Sequence, residues 1–431
     1  VGGFVAYVDN VNKKTEIGTS LTVSAENPKT EITIGKDSTL GTENYGTKYT
    51  GGAFGYVKTK MYINYPTSET NKFGTAVMED VIVNAKLYAG GFVARIGGEE
   101  NGQGREYHIN QTIFRGTSEN KAKVSNNTKE NTDATMCGGI VGYGKGRDSN
   151  EIKDSHLKNA QINEESNVFA LLKDEWNVPT KQQQRTGGII GYITDSKVMF
   201  EDCTVKESTI YGRITGGIAG GTESAVAFKN CEVTGSGSEN KQEIKGLFTA
   251  GGIIGFAKTT ASVSIQNSKA CYLEISGKHW GVGGFIGDSD NAVNGGTIYL
   301  FDSMVKDVDI TADGGLWYCA GGIIGNLRSN LTASNVLFSK LELTCTKGKG
   351  WLFGAISGSR KINIAGLSIQ KISDTNKNVW LSGSAEDTAF LTQDNVYIAF
   401  ADYSGKAISV TSASKDLLGS ETNPETATEP Y

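Results

Sequence analysis

A glycine pair followed by two apolar residues and usually a third glycine recurs along this chain. The copies are Gly51-Gly52-Ala53-Phe54-Gly55, Gly138-Gly139-Ile140-Val141-Gly142, Gly187-Gly188-Ile189-Ile190-Gly191, Gly251-Gly252-Ile253-Ile254-Gly255, Gly283-Gly284-Phe285-Ile286-Gly287 and Gly321-Gly322-Ile323-Ile324-Gly325. Looser copies stand at Gly2, Gly90, Gly216 and Phe353-Gly354. A period of roughly 30 to 50 residues means stacked supersecondary units, each unable to bury its apolar face without the next.

A second signature follows each glycine pair by about 14 to 19 residues. It is Asp or Asn, then a small residue, then an aliphatic residue eight positions after the Asx: Asp154-Ser155 with Ile162, Asp202-Cys203 with Ile210, Asn267-Ser268 with Ile275, Asp302-Ser303 with Ile310, and Asn335-Val336 with Leu343. Asn230-Cys231 keeps the start and loses the end. Leu157, Val205, Val233, Val305 and Phe338 fall at plus three, and Leu273, Val308 and Leu341 at plus six. These offsets suit short strands joined by a bend and not a helix, which needs three-four-seven spacing. Ala261-Ser262-Val263-Ser264-Ile265 and Thr297-Ile298-Tyr299-Leu300-Phe301 add alternation and β-branched content.

With 56 glycines and 5 prolines the composition alone could signal low complexity, but the regular spacing argues for order. Glycine supplies φ > 0 or close backbone approach where a coil turns a corner. A propeller blade needs four strands in about 40–45 residues, whereas Gly187 to Gly216 and Gly251 to Gly283 are about 30 apart. The chain therefore reads as all-β, a parallel β-solenoid of about ten glycine-rich coils with loop insertions. Its rungs would lie about 4.8 Å apart, with Ile189, Ile253 and Ile323 forming one ladder and Val205, Val233 and Val305 another.

Lys229-Asn230-Cys231-Glu232-Val233-Thr234-Gly235, set between the glycine motifs at Gly216 and Gly251, resembles the GLUG repeat of bacterial secreted and cell-surface proteins. That unit is Gly-Leu-Val/Ile-Gly with a downstream Asn-Cys-x-Val/Ala-x-Gly. The resemblance covers most of residues 1 to 360. Ile or Phe replaces the family's Leu, the downstream Cys survives only at Cys203 and Cys231, and the early repeats carry long insertions. It implies a surface-exposed adhesin-like or stalk region, or a non-catalytic region of a large secreted enzyme such as the immunoglobulin-cleaving metalloproteases, with no activity of its own.

The net charge of −5 gives no basic stripe for nucleic acid, and no apolar run of about 18 residues is present to cross a membrane. Val1-Gly2-Gly3-Phe4-Val5 opens inside a repeat copy, so the chain reads as a processed or excised fragment of an extracellular protein. Residues 1–405 read as the repeat domain and 406–431 as a tail, with Glu421 to Pro430 a polar linker toward another module.

Six cysteines are too few for a disulfide scaffold. Cys203 and Cys231 occupy equivalent repeat positions and are expected to be buried free thiols. No cofactor is implied. The histidines His108, His156 and His279 lie far apart, and the one calcium candidate, Asp288 and Asp290 in Asp288-Ser289-Asp290-Asn291, reads first as a polar turn. A solenoid lyase or hydrolase could line up Asp154, Asp202 and Asp302, yet other repeats place Asn230, Asn267 and Asn335 at the same step, and an amide cannot replace a general acid or base. Asp and Asn share turn geometry and local hydrogen bonding.

Aromatic residues form two columns. Tyr7, Tyr56, Tyr143, Tyr192 and Phe256 stand five places after the first glycine, interrupted by Arg95 and Gly221 and ending in Asp288 and Asn326; Phe248, Trp280 and Tyr318 stand three before it, near Trp317 and Trp351. Such rings either stack internally or, if Trp280, Trp317, Tyr318 and Trp351 are exposed, hold sugar rings or a partner protein. The polar insertion from Gly97 to Cys137 carries Arg105, Tyr107, His108, Phe114 and Arg115 as further candidates. In the insertion from Asn163 to Arg185, a helix running to Trp176 and stopped by Pro179 would dock on the flank. The expected function is a non-enzymatic bacterial surface adhesin or rigid stalk that binds host glycan or protein, with an accessory region of a secreted enzyme as the alternative and a glycan-cleaving solenoid third.

Overall fold

A computed structural model of the chain describes residues 48–64, 75–98, 104–117, 122–126, 135–147, 149–165, 184–195, 197–259, 262–291, 296–313, 319–345, 348–356 and 361–370, together with short strands outside these ranges. The chain divides into two compact units, Val1–Ser224 and Ala225–Tyr431. Each is a parallel β-solenoid. The expected helix before Trp176 lies outside the described residues.

One coil of the first unit shows the plan. The strand Arg185–Gly187 meets the glycine corner, Ile190–Thr194 leaves it, Lys197–Glu201 runs to Asp202, and Thr204–Lys206 and Thr209–Gly216 complete the turn. Equivalent strands of successive coils pair in parallel and in register. Met78, Phe114, Leu157 and Val205 form one inward column and Val83, Val124, Ile162 and Ile210 another. The second unit repeats both, as Val233, Ala270, Val305 and Phe338, and as Ile244, Ile275, Ile310 and Leu343. All of these side chains are buried, and each large aliphatic one contributes about 1.5–3 kcal/mol of transfer free energy. Within each unit the ladders expected from the repeat are present: Ile140 donates to Ile189, and Ile253 to Phe285 and Phe285 to Ile323, through backbone bonds of 2.9–3.0 Å.

The Asx step has a backbone cause. Asp154, Asp202, Asn230, Asn267, Asp302 and Asn335 all hold left-handed φ, between 45° and 56°. Gln111 (51°) and Gly366 (72°) hold it at the same place in their coils. Asn and Asp tolerate this region better than other non-glycine residues, which is why the two interchange along the column. The next residue closes the bend from inside: Ser155, Ser268 and Ser303 donate to the carbonyl two residues back at 2.7–3.0 Å, and the Cys203 and Cys231 thiols reach the same acceptor at 3.4–3.5 Å. Ser303 Oγ also accepts the Ser268 amide, and Ser268 Oγ the Cys231 amide, each at 3.1 Å. A small hydrogen-bonding side chain satisfies the carbonyl in these coils, whereas Val336 and Leu367 fill the same buried slot with apolar bulk in the later ones.

The glycine pairs serve a different purpose. Among the described residues only Gly97 and Gly366 have glycine φ above zero, so close approach, and not a left-handed corner, accounts for the pairs. A Cβ on the second glycine of a pair would strike the next coil's carbonyl: Gly188 against Gly217, Gly284 against Gly322.

Three substitutions separate these roles. Asn267→Ala should cost about 1–2 kcal/mol because it forces alanine into the left-handed region, and Asn267→Gly should cost less, the reverse of the order in an ordinary strand, where glycine is the worse residue. Chemical denaturation of both variants checks the ranking. Gly284→Ala should cost about 1–3 kcal/mol through overpacking.

Candidate functional site

Burial corrects two of the aromatic binding candidates. Trp351 is 1% exposed and Tyr107 fully buried, so neither can present a face to a ligand. Register explains Trp351: Gly321 pairs Gly350 and Ile324 pairs Phe353, which sets Trp351 where other coils carry the second glycine. That side chain is directed into the core, and pairing with the following strand loses register between Gly350 and Phe353. Trp280 is half-buried and leans on Phe248 (5.3 Å) and Phe256 (6.2 Å). Trp317, Tyr318 and Trp176 lie outside the described residues. The calcium candidate is corrected too: Ile286–Asn291 is a strand and not a turn, and Asp288 is buried in the column between Phe256 and Asn326 with Arg328 Nε at 3.8 Å. The side chain of Asp290 lies outside the described residues.

The repeated carboxylates are occupied with the bend. Asp154 contacts His156 Nε2 at 2.8 Å, and Asp302 accepts from Asn335 Nδ2 at 2.9 Å as Asn230 does from Asn267 at 2.8 Å. All six cysteines are free and buried; burial, with Glu232 adding, pushes the Cys271 thiol up to about 11, far from the reactive thiolate.

Outward positions differ between the units. In the first, the columns just before the Asx bend carry an ion network. His108 is buried, stacks on Tyr62 at 5.4 Å, and sets Nε2 3.1 Å from Glu106 and Nδ1 3.3 Å from Glu151. Lys153 joins Glu151 (3.4 Å) to Glu201 (3.3 Å). Glu106 is held below the usual carboxylate range by its bond from Lys60, with Tyr62 and His108 adding to it. In the second unit the same columns are nearly neutral: Ser264 and Gln266, Tyr299 and Phe301, Thr332 and Ser334 lie on adjacent coils. The half-buried rings of Tyr299 and Phe301 sit 6.1 Å apart.

Beside the glycine corner of the first unit runs the aromatic seam. Tyr56, Arg95, Tyr143 and Tyr192 form one column, and Tyr49, Tyr88, Met136 and Arg185 the other. Most are buried, so internal stacking accounts for the tyrosine column read in the sequence. Arg185 lies 3.6 Å over the Tyr192 ring, and burial lowers its pKa. In the sequence Arg95 interrupts the aromatic run, and a cation in an otherwise aromatic column is the signal that marks it. Tyr299 and Phe301 were legible as strand residues at minus three and minus one from Asp302, without their exposure.

The second unit also holds a clamp that the sequence does not show. Ser238 and Lys241, on an insertion, reach Asp307, which Lys340 also meets at 3.1 Å. Lys241 lies 2.6 Å from Asp309. Burial raises the Asp307 pKa, but the bonds from Ser238, Lys340 and Lys241 outweigh it and hold the carboxyl below its ordinary value.

No family model matches the chain, and no curated protein matches it. Among solved structures it is similar to one described as a putative immunoglobulin A1 protease from Bacteroides ovatus, at 16% identity over 83% of this chain and 86% of that one, with a TM-score of 0.30. A likeness at that level says nothing about function.

Trp351→Ala should leave a cavity and lower stability by about 3–5 kcal/mol in a denaturant melt. A depressed carboxyl stabilises fully above its unfolded pKa, about 3.9, and loses that contribution as pH falls through the folded value. The stability gap between wild type and Asp307→Asn should therefore be constant above about pH 4 and narrow as the pH falls below it. A gap that widens on acidification would contradict the clamp.

Proposed function

We propose that this chain is a non-catalytic recognition solenoid of a bacterial secreted or cell-surface protein, of the GLUG-repeat kind, that binds host glycan or protein along its outward columns. One observation carries the non-enzymatic half of this reading: the repeated carboxylates stand at left-handed bends where Asp, Asn, Gln and Gly interchange, so their shared property is conformational and not acid–base. The recognition half is supported by outward columns whose chemistry changes while the inward ones stay aliphatic, as expected of binding residues carried by a rigid scaffold. Tyr299 and Phe301, amid the hydroxyls and amide of Ser264, Thr332, Ser334 and Gln266, offer ring faces beside hydrogen-bonding groups. An accessory region of a larger secreted enzyme would use the same surface.

An array of glycans and host proteins probed with the chain tests this, and at least one specific ligand is expected. Asp202→Asn and Asp302→Asn should leave stability within about 0.5 kcal/mol and binding unchanged. A glycan-cleaving activity lost in either variant would overturn the proposal.

A further inference from the structure

Beside the glycine corner of the first unit, positive charge gathers around tyrosine rings. The Arg95 guanidinium lies 4.8 Å from the centre of the Tyr143 ring, 5.1 Å from Tyr88, 5.4 Å from Tyr56 and 5.8 Å from Tyr49. Lys48 Nζ lies 5.4 Å over Tyr49, and Lys58 Nζ 5.6 Å over Tyr56. Three cations thus share two rings. Arg95 is 4% exposed, donates from Nη2 to the Gly98 carbonyl at 2.7 Å, and leaves Nε without an acceptor. Among the described residues no carboxylate pairs with Arg95 or Lys48. Ring faces attract cations but accept no strong hydrogen bond, so a fork of five donors is left largely unused in a place where desolvation makes that costly.

An anionic oxygen group answers this arrangement. It accepts from the guanidinium edge in two-pronged fashion and offsets the like charges of Arg95 and Lys48. Tyr49 and Tyr88 are half-buried and stack 5.2 Å apart, Lys48 is exposed, and together they form the solvent-facing side of the cluster. Aromatic rings beside a charged fork suit a sugar ring that carries its own anion. A nucleic-acid backbone would call for a longer basic stripe, in a chain whose net charge is −5.

We propose that Arg95, flanked by Tyr49 and Tyr88 and rimmed by Lys48 and Lys58, is a subsite for an anionic sugar residue bearing a carboxylate or a sulfate. The proposal rests on reading the chain as a recognition solenoid and names a ligand class for it. Calorimetric titration of the full chain with a hexagalacturonide, a heparin hexasaccharide, uncharged maltohexaose and an oligothymidylate tests it. At least one acidic sugar should bind, more weakly as salt rises, and maltohexaose should not; which acidic sugar binds separates carboxylate from sulfate. The double variant Lys48→Ala/Lys58→Ala should weaken binding about tenfold or more with an unchanged melting temperature. Arg95→Lys, which keeps the charge and loses the fork, should weaken it as well; if that variant does not fold, the rim variant decides. The proposal is overturned if neither acidic sugar binds, if the rim variant binds as wild type does, or if the oligothymidylate binds more tightly than both sugars. An array ligand that still binds the rim variant would sink this subsite and leave the recognition reading standing, whereas a chain that captures nothing on the array fails the broader reading.

Discussion

Close backbone contact at the glycine corners is the constraint on which the rest of the structure depends. Parallel coils pair only if the backbone of one can approach the next all round the turn, and at the corner the second glycine of each pair lies where any side chain would strike the neighbouring carbonyl. Trp351 shows the consequence from the other side. With an indole in that place the core is filled, and the following strand no longer pairs in even register.

Once coils are stacked in register, every side chain meets its own equivalent at about 4.8 Å, so the fold multiplies whatever chemistry a column carries. Aliphatic columns gain from this and make the core. Charged columns must be compensated. In the second unit Glu243, Glu274, Asp309 and Glu342 fall on one outward line, with Lys245 against Glu243 and Lys241 against Asp309. In the first unit Lys153 stands between Glu151 and Glu201. Arg95 departs from this pattern because its guanidinium meets rings and a carbonyl.

The bends link fold to function. A residue in the left-handed region is chosen for its backbone, and the buried Ser or Cys that follows is chosen to satisfy the carbonyl left by the bend. A repeated Asp–Ser pair, which in another setting would invite a catalytic reading, is here a conformational device. The outward columns are the positions whose residues the scaffold does not dictate.

What the sequence by itself determined is the period and the inward face. Glycine pairs, the Asx step and apolar residues at plus three, six and eight pointed to a parallel solenoid, and those positions are the buried ladders of each unit, because packing and close approach admit few residue types. A second left-handed bend, five residues after the first, was not legible: Asn159, Glu207, Tyr272, Asp307 and Lys340 adopt it with no residue type in common. Nor was exposure. Trp351 and Trp280 both precede or occupy glycine motifs, yet only register shows that the first is directed into the core. The aromatic column likewise reads the same whether its rings stack inside or face solvent, and the convergence of Arg95, Lys48 and Lys58 on shared tyrosines joins residues of different coils. Only the tertiary structure decided these, because the side of a strand on which a ring or charge falls depends on where the chain bends, and the partner it meets lies one whole coil away.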